Sequence, residues 1–521
     1  MDKKYFYITT PAYYVNDAPH IGHFYSTLVA DIVARFKNLD GYNVKFTTGT
    51  DEHGQKIEET AQKLGIPVGQ FVDKTSASFK NLVHKADFLC NDFVRTTEKK
   101  HEDAVVALWN MLYSNGQIYR GNYSGFYSVR DEAFYQERDL VDGKAPTGAD
   151  VVWLEEPGYF FKLSEWQDDL LELYENNPDF VTPTSKLNEV VSFVKSGLRD
   201  LSVSRSKKHL SWGIGVPGDG EHLVYVWVDA LAYYLSSLGF PDLKAPDYLN
   251  YWQDGEVECA HVIGKDILKF HAVYWPALLM AAGLPVPKRV VSHGWWLNEG
   301  EKISKSLGNV IDPIAVMDEY GLDNLRFFLI NETPVGGDAS FSRRSLMERV
   351  NGDLSNNFGN LVQRTVTLAH KECKGRVPNV DAAMLKGQEV LPEYEKILLQ
   401  YKSYISDYKL TDALRFVLGL SSTANEYIAR RAPWKLFKEE RPTAEAVIFK
   451  LLEYIRCIGI LLQPFIPSSA SRMLGQISIP VEKRKFEYFF EPNSGALLSR
   501  PVPVFTKFDM CSEKSSPSIV G

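Results

Sequence analysis

The first fifty residues constrain the fold most, because a β-rich run, an amphipathic helix and a second β-rich run follow in close succession. Tyr5–Thr10 is strand-like, and Ser26–Asn38 carries Leu28, Val29, Ile32, Val33 and Phe36 at helical spacing. Gly41 stops the helix and Val44–Thr48 is strand-like again. Strands joined through a helix run parallel, since antiparallel neighbours need only a tight turn. Helical stretches follow at Gln55–Leu64, Val68–Ala86 and Glu98–Ser114, with a short strand at Asp92–Thr96. This alternation predicts an α/β fold, a parallel sheet covered on both faces by helices.

At 521 residues the chain is too long for one core. From about Gly121 to Gly220, short runs alternate with Asp142-Gly143, Pro146-Thr147-Gly148 and Pro217-Gly218-Asp219-Gly220. This pattern predicts a β-rich insertion with one helical piece near Leu187–Gly197. Strand-like segments return at Leu223–Val228, Cys259–Ile263 and Arg289–Val291, completing the first sheet. Beyond about Asp338 the chain reads as helical to about Leu474, with segments around Leu346–Leu368, Ala383–Ser406 and Thr411–Ala429. The expected boundaries are 1–120 and 221–337 for the two halves of the sheet domain, 121–220 for the insertion and 338–510 for the helical domain. The polar, Ser-rich tail 511–521 is expected to be disordered.

Hydrophobic residues make up 45% and charged residues 24%, the balance of a globular chain. No stretch approaches the roughly 20 apolar residues of a membrane helix. The strand-like Tyr5-Phe6-Tyr7-Ile8 begins too early for a targeting segment before it, so a cytoplasmic location is expected. The cysteines Cys90, Cys259, Cys373, Cys457 and Cys511 form no Cys-x-x-Cys pair, which argues against a disulfide framework and a zinc knuckle. The net charge of −8 neither excludes nor supports a nucleic-acid partner, because such contacts depend on local basic patches.

Two short segments carry candidate chemistry. Pro19-His20-Ile21-Gly22-His23 stands where the first strand hands over to its helix. A helix start at the carboxyl end of a parallel strand favours phosphate, and two imidazoles can donate to a phosphate whose charge rises in a transition state. An ordinary helix start with incidental histidines is the alternative. Glu301-Lys302-Ile303-Ser304-Lys305-Ser306-Leu307-Gly308 is a positive, donor-rich loop suited to closing over a triphosphate and steadying departing pyrophosphate. A merely solvated charged loop is the alternative there.

Together the two segments resemble the HIGH motif and the KMSKS loop of class I aminoacyl-tRNA synthetases, in the right order. The resemblance covers most of the chain and is closest to the methionyl-tRNA synthetase family. It is carried by Tyr13-Tyr14-Val15-Asn16-Asp17, Gly49-Thr50-Asp51-Glu52-His53-Gly54, Tyr225-Val226-Trp227-Val228-Asp229-Ala230 and Ile263-Gly264-Lys265-Asp266-Ile267. Phe270-His271, Tyr274-Trp275-Pro276, His293-Gly294-Trp295, Asn356-Asn357-Phe358-Gly359-Asn360-Leu361 and Ala432-Pro433-Trp434 extend it.

The resemblance implies a Rossmann-like catalytic domain with a β-rich insertion, followed by a helical-bundle anticodon-binding domain. It implies activation of L-methionine by ATP, with Mg2+, and transfer to the tRNA for methionine, the initiator included. His20, His23, Lys302 and Lys305 would be catalytic. ATP would meet His20, Gly22, His23, Gly264, Asp266, His293, Gly294, Lys302, Ser304 and Lys305. Methionine would meet Ala12, Tyr14, Asp51, Trp227, Ala230, Leu231, Tyr234, Ile267 and His271, with Asp51 on its ammonium group and Arg205 nearby. A thioether suits aromatic walls with few polar atoms, although core packing alone would also place Trp227, Tyr234 and Ile267. Asn360, Arg364 and Trp434 would read anticodon bases, with helix packing as the alternative for Trp434.

The chain departs from the family pattern in three places. Tyr127-Ser128-Val129-Arg130-Asp131 and Gly143-Lys144-Ala145-Pro146-Thr147-Gly148 stand where many members carry zinc-binding cysteines, so a metal-free insertion with no structural zinc is expected. Leu201 replaces a tryptophan that some members place near methionine. An appended C-terminal dimerising domain of some relatives is lacking, which favours a monomer. A small-molecule nucleotidylyltransferase and a catalytically retired tRNA-binding protein are the rival readings. The intact residues 20–23, 51 and 302–306 speak against the second.

Overall fold

The computed structural model describes residues 4–129, 133–135, 137, 140–208, 210–253, 257–298, 300–302, 309–381, 384 and 393–510. The expected tail 511–521 lies outside them. The chain forms two compact units, Met1–Ala30 with Asn43–His293, and Asp31–Tyr42 with Gly294–Gly521.

The first unit is built on a six-stranded sheet of β1 (Tyr5–Tyr14), β2 (Asn43–Asp51), β3 (Asp92–Arg95), β4 (Val181–Thr182), β5 (Glu258–Gly264) and β6 (Arg289–His293). Its order is β3-β2-β1-β5-β6-β4, and every neighbouring pair is parallel. Phe6 and Ile8 on one face and Tyr7 on the other are all fully buried, as expected of a central strand covered on both faces. Strand order changes direction at β1, which has β2 on one side and β5 on the other. In such sheets the carboxyl ends of the strands at this point open a crevice suited to ligands. Helix α1 (Ile21–Leu39) leaves the carboxyl end of β1. Helices α2 (Lys99–Ser114) and α3 (Val226–Ser236) belong to the same unit.

Two expectations are corrected here. Leu223–Val228 is not one strand: the strand is His222–Val224, and α3 begins at Val226. Val226, Val228, Leu231 and Leu235 are all buried, so α3 lacks the one-sided periodicity that distinguishes a helix from a buried strand. The stretch 121–220 is not a continuous β module with one helix. It has an antiparallel part (Ile118–Ser128 paired with Val152–Phe161 and Ala133–Tyr135) and two helices, Gln167–Asn176 and Thr184–Lys195. Between those helices β4 returns to the parallel sheet, pairing Val181 and Thr182 with Val290 and Val291. A two-residue strand is too short to show any period.

The second unit is mainly helical, with α4 (Leu322–Glu332), α5 (Asn360–Glu372), α6 (Leu410–Arg431), α7 (Pro433–Glu439) and α8 (Arg441–Leu462). Helix α8 is apolar around most of its circumference, as befits a helix in the middle of a bundle. The expected helix Leu346–Leu368 is three consecutive pieces: Arg343–Arg349, a π-helical stretch Val350–Gly359, and α5. Arg326 of α4 is wholly buried and pairs with Asp31 at 2.7 Å, while its Nε donates to the Phe465 carbonyl at 2.9 Å. No described helix is long and apolar enough to cross a membrane.

Candidate active site at the carboxyl ends of the parallel strands

The first turn of α1 presents the two histidines in a fixed protonation state. The Gly22 N–H donates to His20 Nδ1 at 3.0 Å, and the His20 N–H donates to His23 Nδ1 at 3.1 Å. A ring nitrogen that accepts carries no hydrogen, so each neutral imidazole holds its proton on Nε2. Burial holds both rings neutral, His20 at about 4 despite the nearby Asp266, and His23 well below the ordinary histidine range, with His20 adding to the effect. The rings lie 3.9 Å apart between centroids. They are therefore hydrogen-bond donors at neutral pH rather than cations. A Cβ on Gly22 would stand 2.9 Å from His20 Cε1, so a larger residue there would displace the His20 ring.

The ends of β5 and β6 supply the neighbouring groups. Gly264 closes β5, and a Cβ on it would meet Asp266 Oδ1 at 2.7 Å. His293 closes β6 and shares a 2.6 Å hydrogen bond with Ser26 of α1 through Nε2. Gly294 belongs to the other unit, where a Cβ would collide with the Gly337 carbonyl at 2.1 Å. That close approach explains the glycine without any ligand. Lys302 is described only as backbone, in a strand pairing with Leu297, whereas Ser304 and Lys305 lie outside the described residues.

The residues expected around methionine come from β1, β2, α3 and the segment after β5. Ala12 and Tyr14 end β1, paired in register with Gly49 and Asp51 of β2. Asp51 is 6% exposed and accepts a long 3.5 Å contact from the His53 N–H. Tyr234 and His271 satisfy one another. His271 Nδ1 faces the Ile267 carbonyl at 2.9 Å and so carries the hydrogen, leaving Nε2 to accept from the Tyr234 hydroxyl at 2.6 Å. Burial holds His271 neutral, at about 4, against the opposing pull of the Ile267 carbonyl and Asp266. Trp227 stacks on Phe270 with centroids 3.6 Å apart. Ala230 and Leu231 share α3 with Trp227 and Tyr234, and Ile267 packs partly buried against the same core. Arg205 is buried, with its guanidinium 3.6 Å from the centre of the Tyr127 ring.

Four residues of this region were given no role from sequence. Trp212 packs against the same buried cluster as Tyr14 and donates from Nε1 to the Glu52 carbonyl at 2.6 Å. Asp229 of α3 lies between His53 and His101, at 2.7 and 2.6 Å. The pairings span 176 and 128 positions, so local spacing carries no signal of them. Among the described residues no group of three or more His, Cys, Asp or Glu could hold a metal ion.

In the second unit, Asn360 is exposed at the start of α5, and Arg364 lies one turn further along. The Arg364 guanidinium sits 5.7 Å from the centre of the Trp434 ring. Trp434 is 42% exposed and therefore not enclosed between helices, while Pro433 before it is buried.

Comparison with known proteins adds three concordant findings. A family described as "tRNA synthetases class I (M)" matches residues 6–151 and 147–366, and one described as "Anticodon binding domain of methionyl tRNA ligase" matches 377–506. The methionine–tRNA ligase of Rickettsia felis is 49% identical over 519 residues, spanning 97% of this chain and 99% of the relative. That of Brucella suis is 44% identical over 522 residues, spanning 99% and 100%. A solved Mycobacterium tuberculosis methionyl-tRNA synthetase in complex with methionyl-adenylate superposes with a TM-score of 0.90 at 40% identity, covering 96% of this chain and 99% of that one. A parallel sheet with paired histidines at the start of α1, a helical unit matching an anticodon-binding domain and 44–49% identity over nearly the full length all agree: the chain belongs to the methionyl type of class I tRNA synthetases, the methionine–tRNA ligases.

Proposed function

We infer that the residues gathered at the carboxyl ends of the parallel strands divide between them the two steps of a methionine–tRNA ligase. In the first step the methionine carboxylate attacks the α-phosphate of ATP, giving methionyl-adenylate and pyrophosphate. In the second the 3′-terminal adenosine of the tRNA attacks the activated carbonyl. Neither step needs a covalent intermediate with the protein, so positioning and charge stabilisation supply the acceleration.

His20 and His23 would donate through Nε2–H to the phosphate as its charge grows, with Gly22, Gly264, Asp266, His293 and Gly294 seating the nucleotide. Lys302, Ser304 and Lys305 would hold the departing pyrophosphate. Mg2+ would enter with ATP and share that charge. Asp51 would bind the substrate ammonium. Ala12, Tyr14, Trp227, Ala230, Leu231, Tyr234, Ile267 and His271 would enclose the thioether, with Arg205 in support. Asn360, Arg364 and Trp434 would read the anticodon of methionine tRNA, the initiator included. A monomer in the cytoplasm, where tRNA and ATP are found, completes the reading.

The observation that carries it is the paired orientation of His20 and His23 beside the β1–β5 switch point, two neutral donors directed by their own backbone. The test is ATP–pyrophosphate exchange with each of the twenty amino acids, without tRNA. Exchange driven by methionine supports the assignment of the wall residues. Exchange with leucine, isoleucine, valine or cysteine instead would overturn that assignment.

A further inference from the structure

The carboxylate of Asp229 is 1% exposed, and both of its oxygens are occupied by imidazoles. Oδ2 meets His53 Nδ1 at 2.7 Å and Oδ1 meets His101 Nε2 at 2.6 Å. His101 is wholly buried on α2, and its other nitrogen reaches Ser236 Oγ, two turns further along α3, at 3.0 Å. The three side chains thus tie together α2, α3 and the turn that follows β2.

That turn is held at every position around Asp51. Thr50 donates to Glu52 at 2.7 Å, and Arg95 and Thr97 donate to the Glu52 carboxylate at 2.6–2.8 Å. Trp212 donates to the Glu52 carbonyl and lies 5.6 Å, ring to ring, from His53. Asp51 itself receives the backbone N–H of His53, whose side chain Asp229 anchors. Burying charged groups carries a desolvation cost that well-packed apolar side chains avoid, so stability alone is a weak reason for this arrangement. What it provides is a fixed relation between Asp51 and α3, the helix that bears Trp227, Ala230, Leu231 and Tyr234.

We propose that His53, Asp229 and His101 form a buried clamp that positions the Asp51 carboxylate for the methionine ammonium group. The inference rests on the reading of Asp51 as the ammonium's partner. The clamp residues touch no substrate and are positioning residues. His53 faces Asp229 from α3 and Glu102 from α2, with Glu52 beside it; burial opposes its charge, and these carboxylates outweigh burial and raise its pKa.

The test compares methionine with 4-(methylthio)butanoate, the same molecule without its amino group, by calorimetric binding to the full chain. His53→Ala is expected to weaken methionine about ten-fold and the amine-free compound less than about two-fold. His53→Gln, which keeps a donor toward Asp229, is expected to recover most of the loss, and His101→Ala to reproduce it. Equal weakening of both ligands, or of neither, overturns the clamp. Asp51→Asn serves as the reference. If it erases the preference for the amino group while His53→Ala preserves that preference, the clamp fails and the Asp51 reading stands. If it leaves the preference untouched, the Asp51 reading fails and the clamp falls with it.

Discussion

Replacing His271 by Gln should remove a defined part of the acid sensitivity of the fold. His271 is 2% exposed and donates to the Ile267 carbonyl, and its burial and its acceptance of the Tyr234 hydroxyl hydrogen favour a neutral ring. Burial lowers its pKa from 6.5 to about 4. Between those two values the unfolded chain binds a proton that the folded chain refuses, so folding stability falls as pH falls. At about 1.4 kcal/mol per tenfold change, the loss attributable to this ring by pH 4 is about 3 kcal/mol. Gln can donate to the carbonyl and accept from the hydroxyl, but it does not titrate. The stability difference between the parent chain and His271→Gln should therefore be constant above pH 7 and shift by about 3 kcal/mol against the parent as pH drops to 4. Urea unfolding followed by tryptophan fluorescence at stepped pH measures that difference, and titrating groups that do not interact with His271 cancel in it. A difference independent of pH from 7 to 4 would refute the assignment of a neutral, buried His271.

Other expectations bear on each unit. His20→Ala should lower the exchange rate at saturating substrates about 10²–10³-fold, the usual effect of losing one donor to a charged transition state. Methionine binding should barely change, and a loss confined to methionine affinity would remove His20 from the phosphate site. Trp434→Ala should weaken aminoacylation by about 1–3 kcal/mol, the worth of one stacked base, and leave tRNA-independent exchange intact. Equal losses in both assays would make Trp434 structural. Arg326→Leu leaves the buried Asp31 with Arg35 at 2.7 Å but removes its second arginine and the donors to the Phe465 and Pro464 carbonyls, and should destabilise the second unit by about 1–3 kcal/mol. A urea midpoint unchanged from the parent's would contradict the buried pair.

Periodicity made the outer helices and the parallel strands legible, because each shows one clear face or a short apolar run between turn residues. Helix Gln55–Leu64 was readable to the residue for that reason. Helix α3 was not, because its valines and tyrosines are buried on several sides. Strand β4 was also missed, since two residues reveal a pairing only when the partner strand is present. Within the site, His20 and His23 could be named from spacing, whereas their shared Nε2–H state depends on backbone donors that fold back onto the rings. The Asp229 cluster was illegible on different grounds. Its members come from three elements, and nothing local in Asp51-Glu52-His53 points to a carboxylate on a distant helix.

The closed pair of Tyr234 and His271 has a consequence for oxidative damage. The Tyr234 hydroxyl hydrogen is already given to His271, and the His271 Nδ1 hydrogen to the Ile267 carbonyl. Methionine sulfoxide is methionine with one added oxygen, a polar acceptor on an otherwise apolar tail. Against this wall that oxygen would find no donor from either residue, at a cost of about 1–3 kcal/mol for an acceptor buried without a partner. With Tyr234 and His271 in their proposed place beside the thioether, a hydrogen bond turned inward would screen the free amino-acid pool and keep sulfur oxidised before translation out of new protein.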